Sequence, residues 1–110
     1  MSKSAENIEG LNAGDEVRGL LSQIIDPELG INIVDMGLIY SVKADYQTKE
    51  ITVMMTLSTK GCPMGAAITG GVEHTLEHHF PEYSRTVNLI WEPAWSVDFI
   101  SDEGRRELGL

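Results

Sequence analysis

The hydrophobic period of this chain changes from about 3.6 residues to about 2 and back, and prolines or glycines stand at the changes. No other feature restricts the available folds as tightly. Val17, Leu20, Leu21, Ile24 and Ile25 recur at i, i+3, i+4, i+7 and i+8, the stripe of an amphipathic helix. Asp15 and Glu16 fall in its first turn, where the helix dipole favours acids, and Pro27 stops it by disfavouring helical geometry at Asp26. The stretch 26–37 then reads as an ordered loop. From Leu38 the period becomes two, with Leu38, Tyr40, Val42 and Ala44 expected on one face and Ile39, Ser41, Lys43 and Asp45 on the other. Ile51, Val53, Met55 and Leu57 alternate in the same way with Thr52, Met54, Thr56 and Ser58. The polar run 46–50 between the two strands predicts a β-hairpin.

Gly61-Cys62-Pro63 opens a second helix, with proline at the first helical position, where its missing N–H costs nothing. Ile68, Val72, Leu76 and His79 or Phe80 mark its buried side, and Pro81 ends it. Val87, Leu89 and Trp91 form a third alternating run, and Ser101 is placed to cap a short final helix ending near Gly109. The order α-β-β-α-β-α predicts an α/β (α+β) fold, a two-layer sandwich with a small mixed or antiparallel sheet and helices on one face. Pattern alone leaves open whether the third strand lies beside the first or the second. Residues 1–12 are polar and aperiodic, and we expect a flexible leader there, with a single domain over 13–110.

At 110 residues, 42% of them hydrophobic, one core is feasible and two domains are not expected. The net charge of −9 is spread over both halves of the chain and opposes binding to nucleic acid or to an anionic membrane surface. No apolar run approaches the ~20 residues of a membrane helix. Cys62 is the only cysteine, so neither an internal disulfide nor a Cys-based zinc or cluster site can be completed within one chain. A lone thiol suits a reducing compartment, and a cytoplasmic location is expected.

Few residues are placed for chemistry. At the start of a helix and beside Lys60, Cys62 is in a setting that favours thiolate, although a lone cysteine is also an ordinary small hydrophobe. Asp26 and Glu28 bring two carboxylates together around Pro27, either as turn chemistry or as an acidic pair aimed at one site. His74-Thr75-Leu76-Glu77-His78 matches the H-x-x-E-H form of an inverted zinc-protease motif. Its histidines, however, fall about 200° and 240° around the helix from Val72 and so face solvent, which argues against a catalytic zinc. Trp95, after Pro93, is placed to cover a site or a partner surface.

Asp26-Pro27-Glu28-Leu29-Gly30, Asn32-Ile33-Val34-Asp35-Met36-Gly37-Leu38-Ile39-Tyr40, Met55-Thr56-Leu57-Ser58-Thr59-Lys60-Gly61-Cys62-Pro63 and Pro93-Ala94-Trp95 follow one another along the chain. In that order and spacing they resemble the SufT/PaaD-like metal–sulfur cluster biosynthesis family, from about residue 13 onward. The resemblance implies a small cytosolic factor that assists iron–sulfur cluster insertion into client proteins and is not a turnover enzyme. It places the family's signature cysteine on Cys62 and its acidic pair on Asp26 and Glu28. Thr56, Thr59 and Pro63 become supporting positions, and Pro93 and Trp95 a partner loop. Ala94 stands where a second proline is usual, and Ser58-Thr59-Lys60 where Thr-Thr-Pro is usual.

A cluster is generally held by four thiolates, and this chain has one. A transient iron–sulfur cluster or iron is therefore expected, not held stably by a monomer. Its remaining ligands would come from a second copy in a homodimer, a small thiol or an apo-client. Expected partners are the assembly machinery and apo-client proteins. The alternative reading is an adaptor without metal chemistry, such as a ring-oxygenase accessory subunit. A cysteine-nucleophile enzyme ranks last, because the three histidines fall late in the second helix, far from the thiol.

Overall fold

The computed structural model describes residues 14–58 and 65–110. A first helix, α1, covers 14–21. It is followed by β1 (Ile39–Asp45), β2 (Glu50–Met55), α2 (Gly65–His79), β3 (Ser84–Leu89), a short 3₁₀ turn (Val97–Phe99) and α3 (Asp102–Leu108). The sheet is mixed, in the order β1-β2-β3, with β1 antiparallel to β2 and β3 parallel to β2. This settles the neighbour of the third strand. A parallel neighbour needs a crossover rather than a hairpin, and α2 supplies it.

Rows across the sheet show why the alternating sequence folds this way. Val42, Val53 and Val87 align across the three strands, as do Ala44, Ile51 and Arg85, on the covered face. Lys43, Thr52 and Thr86 make up a row on the opposite, polar face. The covered face packs on Val17 and Leu21 of α1, on Ile68, Val72 and Leu76 of α2, and on Ile31, Ile33, Met36 and Leu38 of the loop before β1. Burial of each such side chain contributes about 1.5–3 kcal/mol of transfer free energy. At the sheet edge Arg85 donates to the carbonyls of Phe80, Pro81 and Tyr83, covering the exit of α2. The hairpin turn is held by Asp45, whose Oδ1 accepts from the N–H of Gln47 at 2.8 Å, and by Lys49 at φ +57°.

Three elements differ from the periodicity reading. Helix α1 stops at 21, leaving Ile25 about half exposed. The backbone of 24–26 instead bonds to 31–33, with Ile33 N–H donating to Ile24 O at 2.9 Å and Asp26 N–H to Ile31 O at 2.8 Å. Strand β1 carries a bulge between Ile39 and Ser41, so Ile39 pairs with Met55 and is buried, while Tyr40 is released from the alternation. Strand β3 ends at Leu89, before Trp91. On the second helix Phe80, not His79, completes the buried side, and His74 and His78 are exposed as expected. The last helix has the expected caps: Ser101 Oγ accepts from Gly104 N–H, and Gly109 adopts φ +78°.

Candidate functional site

Register decides where the motif segments meet. Met55 pairs with Ile39 on one side and with Leu89 on the other, so the start of β1 and the ends of β2 and β3 lie at one end of the sheet. The loop 26–38, the chain beyond Met55 and the loop 90–95 therefore leave the sheet together. Hydrogen bonds join them further. Thr56 N–H donates to Leu38 O at 2.9 Å, and Trp95 Nε1–H to Met36 O at 2.7 Å. The Tyr40 hydroxyl, freed by the bulge, donates to Pro93 O at 2.8 Å. The Ser58 hydroxyl donates to Glu28 Oε1 at 3.3 Å.

An open cleft of about 260 Å³ lies at this end, lined by Leu57, Ser58, Trp91, Glu92, Ala94 and Trp95. Cys62, Thr59 and Pro63 lie outside the described residues. The described residues that flank them, Ser58 and Gly65, stand at and near the cleft, because Gly65 packs so tightly on the cleft residue Leu57 that a Cβ there would come within 2.5 Å of its Cδ1. Glycine at 65 is thus set by a close approach.

The two acids around Pro27 have different settings. Asp26 is 1% exposed, and its Oδ1 accepts from the N–H groups of Glu28 at 2.7 Å and Leu29 at 3.4 Å, an Asx turn that shapes the loop. Glu28 is exposed, and Ser58 is its side-chain partner among the described residues. Thr56 is fully buried, with its hydroxyl 3.5 Å from Leu57 O, and does not open onto the cleft. Burial raises the Tyr40 phenol above its usual value near 10, with a smaller opposing effect from the Thr56 hydroxyl. Pro93 follows a cis peptide bond, and Trp95 is half-buried over the core.

Among the described residues no three His, Cys, Asp or Glu side chains converge as a metal-holding group, and no helix is long and apolar enough to cross a membrane. Sequence reasoning missed Glu92, which carries no periodic or motif signal, and Tyr40 as a loop anchor. A bulge that turns one residue out of an alternating run leaves no trace in the alternation.

The family model described as iron–sulfur cluster assembly protein matches residues 14–89, from α1 to the end of β3. The chain belongs to that family. Among relatives of this iron–sulfur assembly domain, the Fe-S protein maturation auxiliary factor SufT of Staphylococcus aureus is 44% identical over 88 residues, 79% of this chain and 98% of that protein. The Fe-S protein maturation auxiliary factor YitW of Bacillus subtilis is 36% identical over 97 residues, 87% of this chain and 93% of that protein. The crystal structure of a domain of unknown function, DUF59, from Bacillus anthracis superposes with a TM-score of 0.84 at 33% identity, covering 94% of this chain and 98% of that one. The α+β fold read from periodicity is the fold of this assembly domain.

Proposed function

We propose that this protein is an iron–sulfur maturation factor in which Cys62 is a transient ligand for iron or a cluster on its way to a client protein. One observation carries the reading: three separate motif segments come together at one end of the sheet, around a cleft next to which the chain leads into the Cys62 segment. The names of the relatives give the cargo its class. Within this reading Asp26 shapes the loop that presents Glu28, and the exposed Glu28 carboxylate, which accepts from the Ser58 hydroxyl, is an available oxygen donor to supplement the thiolate. Thr56, Thr59 and Pro63 are supporting positions for the cysteine, and Pro93 and Trp95 form the partner-facing loop.

The cargo is a substrate, not a resident cofactor. With one thiolate per chain, the other ligands come from a second copy, a small thiol or the apo-client. Delivery is then an exchange of thiolate ligands, with no net redox change and no covalent turnover, which makes the protein an accessory factor rather than an enzyme. A reducing cytoplasm suits such a thiol. The test is anaerobic reconstitution of wild type and Cys62→Ser with iron and sulfide, followed by transfer to an apo-client. Wild type is expected to develop visible charge-transfer absorbance and to activate the client, and the serine variant to do neither. Equal client activation by the serine variant would falsify the Cys62 role.

An apolar recess of about 490 Å³ lined by Gly37, Ile39, Tyr40, Pro93 and Phe99 favours a second reading, a protein-binding adaptor. On that reading Cys62→Ser leaves partner co-purification intact and Trp95→Ala removes it.

A further inference from the structure

The H-x-x-E-H segment on α2 plays no part in the reading above. His74 and His78 are exposed, one helical turn apart, and their rings lie nearly parallel, with centroids 6.5 Å apart and planes 19° apart. Among the described residues no protein hydrogen bond holds either ring. From Gly65 to His74 the helix rises about 13 Å at 1.5 Å per residue, so the pair is separate from the cleft. We infer that His74 and His78 form a two-imidazole chelate for a borderline divalent cation such as Zn²⁺, Ni²⁺ or Co²⁺, with the remaining coordination positions left to water or to a donor from a docking protein.

Imidazole nitrogen suits these ions, and two histidines at i and i+4 present their nitrogens on the same side of a helix. The side chains are free to swing from their stacked arrangement until both nitrogens reach a bond length of about 2.0–2.1 Å. Glu73 and Glu77 on the same helix, and the net charge of −9, make the local field attractive to a cation. His79 is an internal control. It follows His78 directly, so its side chain leaves the helix about 100° further round and not on the side that His74 and His78 share, although its ring meets that of His78 edge to face with centroids 5.0 Å apart. Two protein ligands make an exchangeable site, since α2 folds through its buried face and needs no metal.

The experiment titrates ZnCl₂ into the full chain carrying Cys62→Ser, which removes the thiolate as a competing ligand, by calorimetry with parallel NMR of the histidine ring protons. The expected result is one Zn²⁺ per chain with the His74 and His78 signals perturbed together. Losing one arm of a chelate should weaken binding at least about tenfold in His74→Ala and in His78→Ala, while His79→Ala stays within about twofold. All three positions are exposed and tolerate alanine without loss of packing. The inference is overturned if no saturable binding is seen, if either single variant binds as well as its parent, or if His79→Ala weakens binding as much as the others. Because cluster transfer is not measured, its outcome is independent of the proposed Cys62 function.

Discussion

Gly37 and Asp35 secure the loop that leads into the sheet. Gly37 adopts φ +82°, and a Cβ there would sit 2.3 Å from the carbonyl oxygen of Phe99. Gly37→Ala therefore combines left-handed backbone strain with a collision against main chain, and urea denaturation should show a loss of at least about 2 kcal/mol. Asp35 accepts from the Asn32 side-chain amide at 2.7 Å and from the Ser101 hydroxyl at 2.8 Å, joining the loop to the cap of α3. Asp35→Ala should cost about 2 kcal/mol or more, since both donors lose a charged acceptor. Asp26 offers a sharper test. Asparagine retains the oxygen that accepts from the Glu28 and Leu29 amides, so Asp26→Asn should stay within about 1 kcal/mol of wild type, and Asp26→Ala should lose about 1–3 kcal/mol. A variant that folds normally but matures no client would show that the Asp26 charge acts in transfer as well as in the turn. The placing of an acid before Pro27 was legible in the sequence. Its inward direction was not, because that depends on backbone amides two and three residues later closing around it.

Elements were legible wherever one face of a periodic segment meets the core, and less so where the backbone finds a partner outside its own element. The α1 stripe continues to Ile25 in sequence, but hydrogen bonds from 24–26 to 31–33 draw the chain out of the helix four residues early. In β1, strict alternation would place Ile39 on the open face, and the bulge restores it to the core opposite Met55. The same bulge turns Tyr40 toward Pro93 and against the ring of Phe99, with centroids 5.9 Å apart. Because burial raises the Tyr40 pKa, the folded state favours the neutral phenol. That contribution to stability is fully present below the unfolded value near 10 and is lost as pH rises through the higher folded value. Chemical denaturation of wild type should therefore show stability falling above about pH 10. Tyr40→Phe should flatten that fall, at the expense of the bond to Pro93 at neutral pH.

For the molecule as a whole, the strands, the three helices and the hairpin were readable from period and punctuation, whereas the parallel placement of β3 was not. Periodicity records which face of a strand is buried but not which neighbour it bonds. The motif strings were equally legible one by one, yet their meeting place depends on the register at Met55, a long-range fact. Stability should be distributed accordingly. Hydrogen exchange is expected to be slowest in β2, which has neighbours on both sides and Ile51, Val53 and Met55 in the core, and faster at the outer edge of β3. Faster exchange in β2 than in β3 would contradict this sheet order.

The row Ile39–Met55–Leu89 marks the end of the ladder, and the tip 92–94 lies beyond it. Residues there can be exchanged between relatives without disturbing any strand pairing. The tip can therefore diverge in sequence while the domain keeps one heritable frame, and a chimaera that swaps only 92–94 between relatives should keep the parent's stability in chemical denaturation.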